Sequence, residues 1–327
     1  MNKRLFGNTG WAVSEIGLGC WQLGGTDWGA VDEDKCFHIL HAALDAGVNF
    51  FDTADVYGNG RSEELIGRFL QKNKPEVYVA TKLGRTGSLY PDKYTEAGLR
   101  EATENSLRRL GLETLDLTQL HCVPMEIFRQ GDVFEWLRAL QKEGKIRHFG
   151  ASVESVEEAK LCLQQEGLAS LQIIFNLFRQ KPIAELFPLA REKLVALIVR
   201  LPLASGVLAG KMTKSTRFPD GDHRNYNRNG DFFNVGETFA GLPYEEAVDL
   251  SESLKEYVPQ GMTLAQMAQR WILDYPEVST VITGASRPDQ VSVNVSTSTL
   301  PALLPELHDR LHAFYQQNVA SQIRGPY

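Results

Sequence analysis

Asp52, Tyr57, Lys82 and His121 are residue types that together can deliver a proton to a forming alkoxide, and three of them end apolar runs. Asp52 follows Val48, Phe50 and Phe51, Lys82 follows Val77–Thr81, and His121 follows Leu115–Leu120, while Tyr57 stands on the loop just past Asp52. A carboxylate closing a buried strand is costly unless it is paired, and a lysine can supply the pair. A free tyrosine ionises near pH 10, which makes it a reluctant donor; an ammonium beside it favours phenolate and should lower that value. Asp52 would hold the ammonium charged, and His121 would donate a hydrogen bond to a carbonyl oxygen. Taken singly, a strand-end lysine is ordinarily solvated and a lone histidine ordinarily structural. Four ionisable groups converging from consecutive strands point to chemistry, namely proton delivery to a carbonyl undergoing reduction, which requires a hydride source.

The elements that must position these groups alternate along the chain. After hairpin signals between Arg4 and Ile16, short apolar runs over 16–20, 48–51, 77–81, 115–120, 146–151, 171–175, 195–199 and 278–282 read as eight strands. Helical periodicity lies between them, with Asp32 and Ser62 as caps, Ser155 with Glu158 as a capping box, and Thr263 with Gln266 as another. Leu203 to Pro243 breaks the rhythm, and a loop of that length has a functional reason or is partly disordered. Eight strand–helix units without a linker predict one α/β domain over 1–327, a (β/α)8 TIM barrel with an N-terminal β-hairpin and a C-terminal helix. A doubly wound sheet would carry Gly-x-Gly-x-x-Gly after its first strand, and Gly17-Leu-Gly19-Cys-Trp-Gln22 does not complete one. In a barrel the carboxyl ends of the strands form the site; adjacent strands lie about 4.8 Å apart, so Asp52, Lys82 and His121 can meet there.

Composition narrows the class. The 327 residues are 43% hydrophobic and 23% charged, with a net charge of -7 that argues against a nucleic-acid surface. No run approaches a membrane span, and Gly7, Asn8 and Gly10 interrupt any leader core. Cys20, Cys36, Cys122 and Cys162 stand far apart, so neither a disulfide framework nor a metal site is expected. The expectation is a cytoplasmic protein, a monomer or small homo-oligomer, acting on a small carbonyl compound.

Phe51-Asp-Thr-Ala-Asp-Val-Tyr-Gly58 with Ser62-Glu63, Thr81-Lys82 and Leu120-His121 resembles the aldo-keto reductases in order and spacing, over nearly the whole chain. Pro202-Leu-Ala-Ser-Gly-Val-Leu-Ala-Gly-Lys211 and the loop after it resemble the bacterial and potassium-channel-β-like branch. The resemblance implies the tetrad Asp52, Tyr57, Lys82 and His121 and a nicotinamide cofactor, NADPH, with NADH possible. It implies that Ser152 and Gln172 contact the carboxamide; the Asn usual after that Ser is Val153 here. Arg200 stands where the family places an aromatic that stacks on the nicotinamide. A guanidinium plane can also stack, but its charge sits less easily beside an oxidised ring. Pro202, Leu203, Ser205, Gly206, Leu208 and Lys211 would lie along the pyrophosphate. Gly284, Ser286, Arg287, Gln290 and Asn294 stand before and on a helix N-terminus, which favours phosphate; Ser286 and Arg287 suit a 2'-phosphate, Gln290 and Asn294 the adenosine. Trp21, Trp28, Tyr90 and Phe128 fall on loops at the active end and are candidates to line the substrate pocket. Asp55 fits the motif without a chemical step, and a loop-stabilising hydrogen bond is expected of it. Alternative readings remain: a cofactor-binding redox-sensing module with little turnover, or a barrel aldolase with a Schiff base on Lys82.

Overall fold

A computed structural model describes residues 1–25 and 32–327. Trp28 lies outside the described residues. Strands β1 (Lys3–Leu5) and β2 (Ala12–Ser14) pair antiparallel as the hairpin. Eight parallel strands then close a barrel: β3 (Ile16–Gly19), β4 (Phe50–Asp52), β5 (Tyr78–Leu83), β6 (Leu115–His121), β7 (Ile146–Ser152), β8 (Leu168–Ile174), β9 (Ala196–Arg200) and β10 (Val278–Gly284), with β10 returning to β3.

Period-two alternation explains which end is inert and which is reactive. On β4, Phe50 and Asp52 share a face; on β5, Ala80 and Lys82; on β6, Leu117 and His121; on β9, Ala196, Ile198 and Arg200. The lower members of these rows form an apolar cluster with Phe6, Trp11 and Val13 of the hairpin, so the hairpin plugs the amino end of the barrel. Trp11 stacks on Tyr78 at 4.4 Å between ring centres. Each fully buried aromatic or aliphatic side chain there contributes roughly 1.5–3 kcal/mol of transfer free energy. Climbing the same rows, the inward residues turn polar, and Asp52, Lys82, His121 and Arg200 are buried there all the same. Gly150 on β7 marks a close passage between strands, since a Cβ there would meet the Ser170 carbonyl oxygen at 2.6 Å.

The helices pack outside as the periodicity predicts, and both capping boxes form. Ser62 departs from expectation. Gly60, at φ 92°, caps the helix Arg61–Asn73, and the Ser62 hydroxyl turns inward to donate to Cys20 O at 2.9 Å and accept from Thr53 at 2.8 Å. The segment 203–243 is not featureless. It folds through 3-10 turns at Ala204–Ala209, Val235–Glu237 and Phe239–Gly241 and a short helix, His223–Tyr226, and it buries residues 235–242. No helix among the described residues is long and apolar enough to cross a membrane.

Candidate active site

The carboxyl ends of β4, β5 and β6 bring the expected groups together. Lys82 Nζ lies 2.6 Å from each Asp52 carboxylate oxygen, 2.9 Å from the Thr53 carbonyl and 3.2 Å from the Tyr57 hydroxyl. Both charged partners are 1% exposed. The Tyr57 and His121 rings meet edge to face at 5.8 Å. Gln172 donates from Nε2 to Asp52 at 2.9 and 3.1 Å, so its amide supports the carboxylate. Ser152 pairs with His121 across β6 and β7 and with Gln172 across β7 and β8.

Burial sets the protonation states. It works against the Lys82 charge, but Asp52 and Tyr57 outweigh it, and the ammonium is held above its ordinary pKa. Burial lifts Tyr57 to about 12, against the pull of Lys82. The lowered tyrosine pKa expected from the lysine alone is therefore not found: desolvation exceeds the local Coulomb gain. His121 is driven well below its ordinary value by burial, helped by Arg85, Lys82 and Arg200, so the imidazole is neutral. Its Nδ1 is buried without a partner among the described residues. The cluster therefore offers a neutral hydroxyl donor, a fixed cation behind it and a neutral imidazole beside it.

Other expected positions separate. Trp21 stacks on Tyr57 at 5.8 Å and meets His223 at 4.9 Å and Phe233 at 6.4 Å, so it walls the site. Phe128 does not reach it: the helix Met125–Gln130 turns it into the core against Phe134, where it is 2% exposed. Tyr90 is exposed on the loop after β5. Pro202 and Leu208 are buried, Leu208 within the core, while Leu203 and Gly206 are half-buried and Lys211 is exposed. Ser205 donates to the Glu237 carbonyl at 3.0 Å. Gln290 turns back to accept from Ser286 N at 2.7 Å and Arg287 N at 3.3 Å, capping the helix Pro288–Ser296. Arg287 lies exposed against Asp289. Asn294 donates to Gly284 O at 3.4 Å and accepts from Gln269.

Sequence reasoning passed over a charged network around Arg200. Glu237, from the long loop, lies 3.3 Å from Arg85 and 3.5 Å from Arg200; Glu154 lies 3.8 Å from Arg85. Cys122, Glu154 and Glu237 are near enough to share a metal ion, but two guanidinium groups already occupy both carboxylates. Asp55 also departs from expectation. It is 6% exposed, its carboxylate has no hydrogen-bond partner among the described residues, and its backbone N–H donates to Lys82 O at 3.0 Å.

The residues present fit a nicotinamide nucleotide in two places. Arg200 Nε and His121 Nδ1 are buried donors or acceptors without a partner among the described residues at the ring end. At the far end, a nine-residue helix begins beside Ser286 and Arg287, where the helix dipole and the exposed guanidinium, paired at the surface with Asp289, suit phosphate.

Comparison with known proteins agrees with this geometry. The chain is 29% identical over 324 residues to an uncharacterised oxidoreductase, YqkF, of Bacillus subtilis, covering 98% of each chain. It is 31% identical over 340 residues to a probable voltage-gated potassium channel subunit beta of Oryza sativa, covering 97% of each. The structure of the glycerol dehydrogenase AKR11B4 from Gluconobacter oxydans superposes with a TM-score of 0.78 at 30% identity, over 100% of this chain and 98% of that one. The family model "Aldo/keto reductase family" matches residues 15–316. Since that match runs from the edge of the first barrel strand into the last long helix, the chain belongs to the aldo/keto reductase family of nicotinamide-dependent carbonyl oxidoreductases.

Proposed function

We propose that this oxidoreductase uses NADPH to reduce aldehydes or ketones to alcohols, with Tyr57 as general acid. The observation that carries the reading is the contact chain Asp52–Lys82–Tyr57, at 2.6 and 3.2 Å, with a neutral His121 against the tyrosine ring. A bound reduced nicotinamide supplies hydride to the carbonyl carbon. The Tyr57 hydroxyl donates its proton to the carbonyl oxygen as negative charge grows there, which general-acid catalysis rewards by roughly 10²–10⁴. Lys82 stabilises the phenolate left behind, and Asp52 with Gln172 fixes Lys82. A neutral His121 donates a hydrogen bond to the same oxygen. Trp21 and Phe233 keep water from the proton path. Ser152 and Arg200 suit the ring end of the cofactor, the segment Pro202–Lys211 its pyrophosphate, and Ser286 with Arg287 a 2'-phosphate.

A Schiff base on Lys82 fits poorly, because both oxygens of Asp52 hold its nitrogen as ammonium. A redox-sensing role is suggested by the likeness to a channel β subunit. Both readings are separated by one measurement, NADPH oxidation across a panel of aldehydes, ketones and sugars. Turnover that rises and saturates with a carbonyl supports the reductase; NADPH binding with no turnover on the panel supports the sensor and overturns the reductase.

A further inference from the structure

We propose that Glu237 is a positioning residue that holds the Arg200 guanidinium at the reacting face and balances its charge, so that the site binds the oxidised, cationic nicotinamide as well as the reduced, neutral one. The inference rests on the nicotinamide reading above. Arg200 ends β9 in the same inward row as Ala196 and Ile198, which brings it to the level of Asp52, Lys82 and His121. Its charge is felt by Asp52, Tyr57 and His121. A buried cation at that place discriminates against a second cation, because the low dielectric leaves like charges unscreened.

The counter-charge comes from an element remote in sequence. Glu237 is 6% exposed, and its turn is fixed by the Ser205 hydroxyl on its carbonyl and by its own N–H on Asn234 O at 3.0 Å. One carboxylate oxygen faces Arg85 and the other faces Arg200. Arg200 is aimed further by donating to Val153 O at 3.2 Å. Glu154 is a poorer counter-ion, since burial and the neighbouring Glu237 lift it to about 7. Glu237 is held ionised: burial opposes its charge, but Arg200 and Arg85 more than compensate.

The test is the dissociation constants of NADP+ and NADPH, measured without substrate by calorimetry, for wild type, Glu237→Gln, Glu237→Asp, Arg200→Leu and the double variant Arg200→Leu/Glu237→Gln. Glu237→Gln should weaken NADP+ about tenfold more than NADPH, and Glu237→Asp should restore most of the ratio. Arg200→Leu should move the ratio the opposite way, and the double variant should return it near wild type. Equal losses of both forms in Glu237→Gln would mean that Glu237 only anchors the loop, and would overturn the proposal. Should Glu237→Gln not fold, an Arg200→Leu ratio unchanged from wild type overturns it equally. A wild-type chain that binds neither form brings down the cofactor reading itself.

Discussion

The Lys82 ammonium lies 3.2 Å from the Tyr57 hydroxyl and 4.9 Å from the centre of its ring, so one cation addresses both the acidic oxygen and the aromatic face. In a site where burial lifts the tyrosine to about 12, that cation is the main force lowering the cost of the phenolate. Its removal should matter to the chemical step and little to cofactor binding. Tyr57→Phe and Lys82→Met should each lower kcat by roughly 10²–10⁴ while NADPH affinity changes by less than a few-fold. A Tyr57→Phe variant turning over at the wild-type rate would remove the tyrosine from its role.

Asp55 gives a stability prediction with a definite sign. Burial, then the charge of Glu63, raises its pKa to about 7, above the ordinary carboxyl value, while Arg109 and Lys82 pull the other way. The folded chain thus holds this proton more tightly than the unfolded chain. The resulting stability is fully present below the ordinary carboxyl range and is lost as pH rises through about 7. Asp55→Asn should be more stable than wild type at pH 8, by up to about 4 kcal/mol, with little difference at pH 4. Parallel melting curves of the two proteins across that range would show that Asp55 stays ionised in the fold.

Much of the catalytic end was legible because a strand has period two and a barrel exposes its carboxyl end. Asp52, Lys82 and His121 each closed an apolar run, and nothing beyond local pattern was needed to align them. Glu237 left no such mark. It sits deep in a segment without periodicity, and its partners Arg85 and Arg200 meet it only through the fold. Phe128 misled because the short helix Met125–Gln130 was invisible as a helix, so its inward face passed for loop. The tyrosine pKa misled for a different reason: charge neighbours can be guessed from spacing, whereas desolvation depends on groups the fold brings in, such as Trp21 stacked on Tyr57 and itself backed by His223 and Phe233.

Arg287 tests the choice between phosphorylated and unphosphorylated cofactor. It is exposed and, among the described residues, paired only with Asp289, at 3.0 Å on each of two nitrogens, an exposed pair that contributes little to stability and can be exchanged for a phosphate. Arg287→Ala should leave the melting temperature unchanged, weaken NADPH by roughly tenfold and leave NADH nearly as before, since a charge-assisted bidentate contact is the one lost. Comparable losses for both cofactors would show that Arg287 does not read the 2'-phosphate.

Gly67 lies in the middle of the helix Arg61–Asn73, where alanine would ordinarily stabilise by about 1 kcal/mol. Here the neighbouring helix Glu96–Leu110 leaves no room. A Cβ on Gly67 would stand 2.4 Å from the Arg109 carbonyl and 2.9 Å from Leu110 Cα, both backbone atoms that cannot rotate aside. Forcing the helices apart costs about 1–3 kcal/mol, so the steric term wins and Gly67→Ala should be destabilising. The same displacement would pull Arg109 from Glu63, a 2.6 Å contact whose carboxylate also accepts from Thr81 beside Lys82. The variant should therefore show both a lower melting temperature and a reduced kcat. A variant as stable as wild type would mean that the two helices are free to separate, and that the Glu63–Arg109 contact does not brace the strand carrying Lys82.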